Sequence, residues 1–326
     1  MSRLIEGIRQ NNFIIVGRAG IDFFTDAGVK VEDAERVTVD LGGSSANIGA
    51  GICKLGGKAA LVTRVSDDSI GSYCINRLKH YGVDTTHVGK VGGEYRNSLA
   101  VYESVVEDHR NVIYRNHAAD FQMDDSDVSA VDYGKYGALI TAGTVFAAEP
   151  SRSATFKSFE LAKAAGLPIL FDVDYRPYSW PSPEVASEIL SKAAAQSDMI
   201  VGNDEEFGFI AGDYDKGLQK ARELAENGVE IVIYKMGHEG AITFAGGKEI
   251  RTGIYPARAL KPTGAGDSFM AGLVTSIADG HDLKTSILRG SACASITVSR
   301  PGCAPAMADT ETLETFLAEH PGPTEG

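Results

Sequence analysis

The sequence has little positive charge and no run of basic residues. Its 31 lysines and arginines stand against 44 aspartates and glutamates, which gives a net charge of −13 at pH 7. Nucleic acids and anionic membranes both bind proteins through a basic surface. We therefore expect neither as a partner, and an anionic ligand must be held by a few local cations.

Long apolar runs and paired cysteines are also missing. The first residues, MSRLIEGIRQNNFIIVG, contain no apolar run of signal-peptide length, and no later stretch approaches the length of a membrane span. The cytoplasm is the expected location. The cysteines lie far apart and form no CxxC pair, so neither a zinc site nor a disulfide framework is expected at Cys53, Cys74, Cys293 or Cys303.

What the sequence does contain is an alternation of short β-rich runs and helical patterns. From about residue 136 the runs GALITAG, PILFDVD, DMIVGN and VEIVIYKMG alternate with helices, two of them near 184–196 and 215–227. The first half begins in the same way, with NFIIVGRAGID as one strand that ends near Asp22. This alternation predicts an α/β fold, in which helices cover both faces of a parallel sheet.

Two regions, 35–43 and 97–117, break this alternation. Both are rich in β-forming residues and have no helix between their strands, which predicts a small separate antiparallel sheet. No linker or internal repeat divides the chain, so we expect a single domain over 1–326 with a lid at about 23–43 and 95–118. A sheet this small needs its apolar face covered, which favours a homodimer through the lid.

The stretch LKPTGAGDSFMAGLV joins a glycine turn to the start of a helix. Gly264 and Gly266 can adopt backbone angles closed to other residues, so neighbouring N–H groups can converge on an anion at the positive end of the helix. Alone, Asp267 would be interpreted as a helix cap. An anion site beside a base, however, is what phosphoryl transfer requires.

Two segments resemble a known family. PTGAGDSFMAGL is similar to the carboxy-terminal signature of the ribokinase-like (PfkB-type) carbohydrate kinases, and GGSSANIGAGICKLGGKAALVTRVSDDSIGSYCINRLKHYGVDT resembles their amino-terminal signature. The signatures lie about 220 residues apart in the family's order, and residues from about 13 to 318 follow its layout. The resemblance implies a three-layer sandwich with a mostly parallel central sheet and a small β-sheet lid, and it implies ATP and Mg²⁺ as cofactors.

Site residues follow from the same resemblance. Asp267 matches the family's catalytic base, and the backbone of Gly264, Ala265 and Gly266 matches its anion hole. Asn203 and Glu206 match an NxxE pattern, in which Glu206 organises Mg²⁺ through water. Without the family context, these two would be interpreted as a solvated helix start. The other implied nucleotide-side positions are Lys235, Gly237, Gly240, Lys261, Thr263, Ala292 and Ser295.

On the sugar side, Asp22 matches the family's hydroxyl-binding acid, and Asp174 is also assigned to the substrate site. The GGxxxN substrate motif corresponds to Gly42, Gly43 and Asn47. The two glycines alone indicate a tight turn into a helix capped by Ser44 or Ser45, and both interpretations can hold together.

The segments FDVDYRPYSW and VIYRNHAAD most resemble family members of inositol breakdown, which phosphorylate the keto-deoxy sugar acid 5-dehydro-2-deoxygluconate at its terminal hydroxyl. A carboxylate substrate gives a role to Arg115 and Arg176, because guanidinium groups bind carboxylates through two hydrogen bonds. Otherwise Arg115 would be a surface charge of the lid, and Arg176 would form a structural ion pair with Asp172 or Asp174.

Three alternatives need to be weighed against this interpretation. A 2-keto-3-deoxygluconate kinase or a fructokinase would share this machinery and differ only in the pocket. A non-catalytic sugar or nucleotide sensor could use the same fold, although a sensor has no need of a base at Asp267. A nicotinamide-binding oxidoreductase would require GxGxxG after the first strand, and VGRAGIDFF lacks it.

One position departs from the family's pattern. Many members have an Asp six residues before the catalytic Asp, where it helps to bind an activating monovalent cation, and this chain has Lys261 there. An ammonium group would repel a metal cation and supply a similar charge. We therefore expect no K⁺ requirement, with Lys261 in the cation site or directed at the phosphates. Alternatively, Lys261 extends to solvent and the cation site is lost.

Overall fold

Two β-sheets form the framework of the computed structural model, which describes residues 1–103, 111–261, 263–320 and 322–323. Its strands are β1 (Asn12–Val16), β2 (Gly20–Thr25), β3 (Val37–Gly42), β4 (Lys58–Ser66), β5 (Val88–Val91), β6 (Leu99–Tyr102), β7 (Asn111–Tyr114), β8 (Ala138–Ala142), β9 (Ile169–Asp172), β10 (Met199–Asn203), β11 (Ile231–Lys235), β12 (Ala241–Ala245) and β13 (Lys248–Thr252). Its α-helices are α1 (Arg3–Ile8), α2 (Ser44–Lys54), α3 (Ser69–His80), α4 (Asp125–Ser129), α5 (Ser151–Ala164), α6 (Pro183–Ala194), α7 (Asp204–Ala211), α8 (Gly217–Glu226), α9 (Ala265–Ala278), α10 (Leu283–Val298) and α11 (Thr310–Glu319). Over this part of the chain, no helix combines the length and the apolar character needed to cross a membrane.

The large sheet has nine strands in the order β13-β12-β11-β10-β9-β8-β1-β4-β5, and those from β11 to β5 run parallel. Its side chains alternate between two apolar cores. On β1, Phe13 and Ile15 pack with α1–α3 and α9–α11, whereas Ile14 and Val16 pack with α4–α8. Crossover helices bury both faces of a parallel sheet in this way, so the predicted arrangement is confirmed.

One end of the large sheet is a hairpin that the predicted alternation did not include. Strands β12 and β13 pair antiparallel, with Ala245 opposite Lys248. Between them, Gly246 and Gly247 have φ values of 56° and 72°, which are the positive values of a two-residue hairpin turn. A Gly-Gly pair between two β-rich runs is a local signal for this turn, so the sequence alone could have revealed it.

The stretch predicted as one strand, NFIIVGRAGID, is two strands, and that prediction is wrong. Strand β1 ends at Val16 in the large sheet, and β2 begins at Gly20 in the other sheet. Between them the chain passes so close to α2 that a Cβ atom on Gly17 would lie 2.0 Å from Ser45 Oγ. Both strands are almost entirely buried, so the burial pattern does not separate them, although Gly17, Arg18 and Gly20 mark the break in the sequence. Asp22 therefore lies within β2.

The small sheet has the order β3-β2-β6-β7. The prediction that it is antiparallel is wrong for one pair, because β2 and β6 run parallel with Ile21 opposite Leu99. Between β2 and β6 the chain forms β3, α2, β4, α3 and β5, and a long crossover of this kind permits parallel pairing. Residues 104–110, which belong to the predicted segment 97–117, lie outside the described residues.

Candidate active site

A cavity of about 440 Å³ lies where the carboxyl ends of the parallel strands meet. Asp172, Asn203 and Lys235 line it, and they are the last residues of β9, β10 and β11. Open α/β sheets bind ligands at this edge. The small sheet also reaches the cavity, through Asp22 and Tyr102, so a bound ligand would contact both sheets.

Most of the predicted site residues line this one cavity. They are Asp22, Gly43, Asn47, Arg115, Asp174, Arg176, Asn203, Glu206, Lys235, Gly237, Gly240, Thr263, Gly264, Ala265, Gly266 and Asp267. Their positions span the whole chain, so folding brings together segments that the sequence keeps far apart.

Four predicted site residues do not line the cavity, namely Gly42, Lys261, Ala292 and Ser295. Ala292 and Ser295 are buried on α10, and the Ser295 hydroxyl donates to the Tyr255 carbonyl at 2.8 Å. The side of α10 that lines the cavity instead carries Ile287, Ser291 and Ala294. These residues are four and three positions apart, the spacing of one helix face.

Gly42 makes room for Asp22. A Cβ atom on Gly42 would lie 2.0 Å from Asp22 Oδ1, so a larger residue on β3 would displace this carboxyl group. Asp22 is only 1% exposed, and its Oδ1 has no hydrogen-bond partner among the described residues. Burial raises the pKa of Asp22 to about 7. A buried carboxyl group with an unused oxygen is suited to bind a ligand hydroxyl.

Two expected helix caps are absent. Helix α2 follows Gly43 without a side-chain cap, and the Ser44 hydroxyl instead donates to Asp174 Oδ2 at 2.5 Å. Helix α9 begins after Gly264, again without a side-chain cap, and Asp267 accepts a hydrogen bond from Asn47 Nδ2 at 2.9 Å. Within the described residues, no side chain caps the N–H groups at the start of α9, and these can bind an anion.

The glycine turn before α9 has the geometry of an anion site. Gly264 adopts φ 82° and ψ 0°, a left-handed conformation that favours glycine. The ammonium group of Lys235 lies beside the turn, 3.5 Å from where a Cβ atom on Gly266 would stand. A lysine and the positive end of a 14-residue helix thus converge on one point, which fits the phosphates of ATP.

Asp267 lies within the first turn of α9 and is half-buried. Burial and the nearby carboxylate of Asp174 raise the pKa of Asp267 to about 6, although the hydrogen bond from Asn47 and the charge of Arg176 act in the opposite direction. A carboxylate with such a pKa is ionised at pH 7 and is a stronger base than an ordinary aspartate.

Asn203 and Glu206 form a capping box at the start of α7. The Asn203 side chain accepts from Glu206 N–H, and Glu206 Oε2 accepts from Asn203 N–H, both at 2.8 Å. Glu206 is buried rather than solvated. Its Oε1 lies 3.8 Å from Arg176 Nη1.

The cavity also contains a group of carboxylates whose negative charge a divalent cation can balance. Burial raises the pKa of Asp172 well above its usual range, although Lys235 opposes this, and the charges of Glu206 and Asp174 add to it. No cage of three or more metal-binding side chains exists among the described residues. Mg²⁺ in phosphoryl-transfer sites is held by one or two carboxylates together with phosphates and waters, so Asp172 and Glu206 fit it.

Arg115 and Arg176 are both held by protein carboxylates. Arg115 is buried and is no surface charge; its Nη2 donates to Asp120 Oδ2 at 2.5 Å and its Nη1 to the Thr144 carbonyl at 2.8 Å. Arg176 Nη2 lies 2.7 Å from Asp174 Oδ1. The predicted alternative of an ion pair between Arg176 and Asp174 is therefore present.

Lys261 is half-buried below the glycine turn. Its ammonium group donates to the Thr263 carbonyl at 2.7 Å. Burial lowers the pKa of Lys261, while Cys303 and the carboxylates of Asp267 and Asp22 favour its charged form. The side chain therefore does not extend freely into solvent, but it also does not line the cavity.

The sequence interpretation missed Arg18, Ser44 and Tyr102, which line the same cavity. One signal for Arg18 was available, because it lies two residues beyond the end of β1, at the edge where parallel strands place their ligands. Ser44 and Tyr102 carry no comparable signal, since their positions depend on how the small sheet and α2 pack.

Comparison with known proteins gives consistent results. Residues 11–310 match the family described as pfkB family carbohydrate kinase. The chain is 34% identical over 311 residues to a Photobacterium profundum protein named 5-dehydro-2-deoxygluconokinase, covering 93% of this chain and 94% of that protein. It is 33% identical over 315 residues to a Geobacillus kaustophilus protein of the same name, covering 95% and 94%.

The fold has solved counterparts. The structure of a fructokinase with bound ATP from Xylella fastidiosa superimposes with a TM-score of 0.83 at 19% identity, covering 95% of this chain and 98% of that one. At this identity the likeness concerns the fold alone. The family match, in contrast, spans nearly the whole sequence. We conclude that this chain belongs to the pfkB family of carbohydrate kinases and is an ATP-dependent carbohydrate kinase.

Proposed function

We propose that the protein transfers the γ-phosphoryl group of ATP to the terminal hydroxyl of a keto-deoxy sugar acid, 5-dehydro-2-deoxygluconate. The two relatives described above carry the name of that kinase. The observation that carries the acid substrate is a cavity lined by three arginines, of which Arg115 and Arg176 are paired with protein carboxylates, while the buried Arg18 has no ion-pair partner among the described residues. Burying guanidinium groups costs free energy unless anions pair with them, and a neutral sugar would not supply one.

Asp267 acts as the base in this proposal. It accepts the proton of the sugar hydroxyl as that oxygen attacks the γ-phosphorus, and the hydrogen bond from Asn47 Nδ2 orients its carboxylate. The uncapped N–H groups of α9, the glycine turn formed by Gly264, Ala265 and Gly266, and the Lys235 ammonium stabilise charge on the transferred phosphoryl group.

The remaining cavity residues divide between the two ligands. Gly237, Gly240 and Thr263 line the cavity, and we assign them to the nucleotide. Mg²⁺, when bound, neutralises phosphate charge, and Glu206 and Asp172 are the carboxylates that would hold it. The sugar binds to Asp22 and Asn47.

The small sheet serves as a lid in this proposal. Strand pairing places Asp22, Tyr102 and Ile113 on one face, and all three line the cavity. A ligand that contacts both sheets can draw them together and exclude water from the phosphate. The chain is then a single domain whose lid comes from the two predicted segments.

The opposite face of the small sheet supports the proposed homodimer. Strand pairing puts four apolar side chains on that face, with exposures of 38%, 39%, 45% and 61% for Val37, Val39, Val112 and Tyr114. Exposed apolar side chains grouped on one face mark a protein interaction surface. A second copy of the same sheet would cover it.

The proposal that K⁺ is not required rests on Lys261. Its ammonium group already binds the Thr263 carbonyl beside the glycine turn, and carbonyl oxygens are ligands suited to a hard metal cation. A fixed positive charge there repels a second cation.

The substrate proposal is tested by measuring ATP consumption with a panel of sugars and sugar acids. We expect kcat/KM for 5-dehydro-2-deoxygluconate to exceed that for fructose by at least about 100-fold, the discrimination that a buried charged contact provides. Equal efficiency with both compounds would contradict the proposal. Preference for 2-keto-3-deoxygluconate would retain the sugar-acid class and correct the compound.

A further inference from the structure

The three cavity arginines differ in how their charges are balanced. Arg176 is paired with Asp174 at 2.7 Å, and Arg115 with Asp120 at 2.5 Å. Arg18 forms no ion pair with any carboxylate in the part of the chain that the structure describes. It is therefore the cavity guanidinium whose charge the protein leaves unmatched at contact distance.

Arg18 is nevertheless buried and held in place. It is 7% exposed, its Nη1 donates to Ser98 Oγ at 2.9 Å, and its Nε has no hydrogen-bond partner within the described residues. A Cβ atom on Gly20 would come within 3.0 Å of Nη1, so glycine keeps the path of the guanidinium open. A ligand carboxylate would supply the contact-distance counter-ion and the hydrogen-bond acceptor that this guanidinium lacks.

Asp22, the carboxyl group whose charge acts most strongly on Arg18, is a weak counter-ion. Burial opposes the charged form of Arg18, but the charges of Asp22, Asp120 and Asp174, all beyond ion-pair distance, favour it, and together they raise the pKa of Arg18. Burial raises the pKa of Asp22 itself to about 7, so near neutral pH this group is only partly ionised. Its unpartnered Oδ1 is an acceptor for a hydroxyl and cannot hold an anion.

The position of Arg18 indicates that its ligand lies in the part of the cavity proposed to bind the sugar. Arg18 follows β1 and is anchored to Ser98, directly before β6 of the small sheet. The phosphate-binding elements are elsewhere, at the glycine turn and Lys235. An anion at Arg18 therefore belongs to the sugar substrate.

We propose that Arg18 binds the carboxylate of the sugar acid and is the residue that selects an acidic over a neutral substrate. This inference rests on the proposed function and sharpens it, because it moves substrate recognition from Arg115 and Arg176 to Arg18. Arg115 and Arg176 are held by protein carboxylates and shape the cavity.

The test compares 5-dehydro-2-deoxygluconate with its primary amide, which has the same shape but no charge. In Arg18→Met, we expect KM for the acid to rise about 10- to 100-fold, the loss expected for hydrogen bonds to a charged group, while KM for the amide changes less than about twofold. The contact is remote from the reacting hydroxyl, so kcat should change little. Arg222→Met, which removes a half-exposed arginine of α8, is the matched control and should change neither KM.

The outcomes separate the two proposals. If the wild-type protein handles acid and amide equally, the sugar-acid substrate is wrong, and this inference falls with it. If the wild type prefers the acid but Arg18→Met weakens acid and amide alike, only the role of Arg18 is overturned. Should Arg18→Met not fold, Arg18→Gln keeps N–H donors without the charge: loss of the acid preference supports the role of Arg18, and retention of the preference overturns it.

Discussion

Replacing Asp267 by asparagine should abolish most turnover while leaving the binding of ATP and sugar acid intact. Asparagine has the same shape and can still accept the hydrogen bond from Asn47 Nδ2, which spans 2.9 Å in the wild type. It cannot accept a proton from the sugar hydroxyl. Loss of a general base lowers the rate by about 10²- to 10⁴-fold.

The same substitution should stabilise the fold at neutral pH. The pKa of Asp267 is raised from the ordinary 3.8 to about 6, a difference of about 2 units, which corresponds to about 3 kcal/mol at 1.36 kcal/mol per unit. Because the folded protein binds the proton more tightly than the unfolded chain, this contribution to stability is present below pH about 4 and is lost as the pH rises through about 6. Asparagine has no such loss. The side chain retains some contact with solvent, so about 3 kcal/mol is an upper value.

Two measurements check this prediction. Urea unfolding should give equal free energies for both proteins at pH 4, and a higher value for Asp267→Asn at pH 7.5. A coupled assay should show the loss in kcat. A variant that lost activity and stability together would indicate a structural role for Asp267, and one that retained wild-type kcat would refute its assignment as the base.

Three further predictions concern the whole enzyme. Wild-type kcat/KM should fall about tenfold per pH unit below about 6, because protonation removes the base Asp267; a flat profile down to pH 5 would contradict this. Adding K⁺ at constant ionic strength should leave the rate unchanged, whereas Lys261→Asp should become responsive to K⁺; severalfold activation of the wild type would refute the role of Lys261. Sedimentation should detect a dimer at micromolar concentration, and Val39→Asp with Val112→Asp should shift it to monomer; a wild-type monomer would exclude the dimer.

The elements that could be predicted depend on nearby residues. The glycine turn is local, since Gly264 needs a positive φ and α9 begins at the next residue. The parallel sheet was also predictable, because β8, β9 and β10 are each followed by a helix with its own apolar face. Gly246 and Gly247 belong to this class too, although the sequence interpretation did not use them.

The candidate base could be identified from its neighbours, but its environment could not. Asp267 stands directly after the glycine turn, whereas the amide that orients it, Asn47, is 220 positions away. The raised pKa comes from burial and from Asp174, and both depend on the packed cavity. A residue's type and chain position therefore indicate its chemistry, and its surroundings set the strength of that chemistry.

The wrong predictions concern features that depend on contacts between segments far apart in the chain. NFIIVGRAGID contains two short apolar runs, and pairing with different sheets separates them into β1 and β2. The direction of β6 beside β2 depends on a crossover of several elements. The ion pairs at the cavity could not be predicted either. Side-chain geometry decides which arginine has no carboxylate partner. Sequence patterns specify local backbone conformation and burial, while pairing partners and charge balance are set by contacts that exist only after the chain has folded.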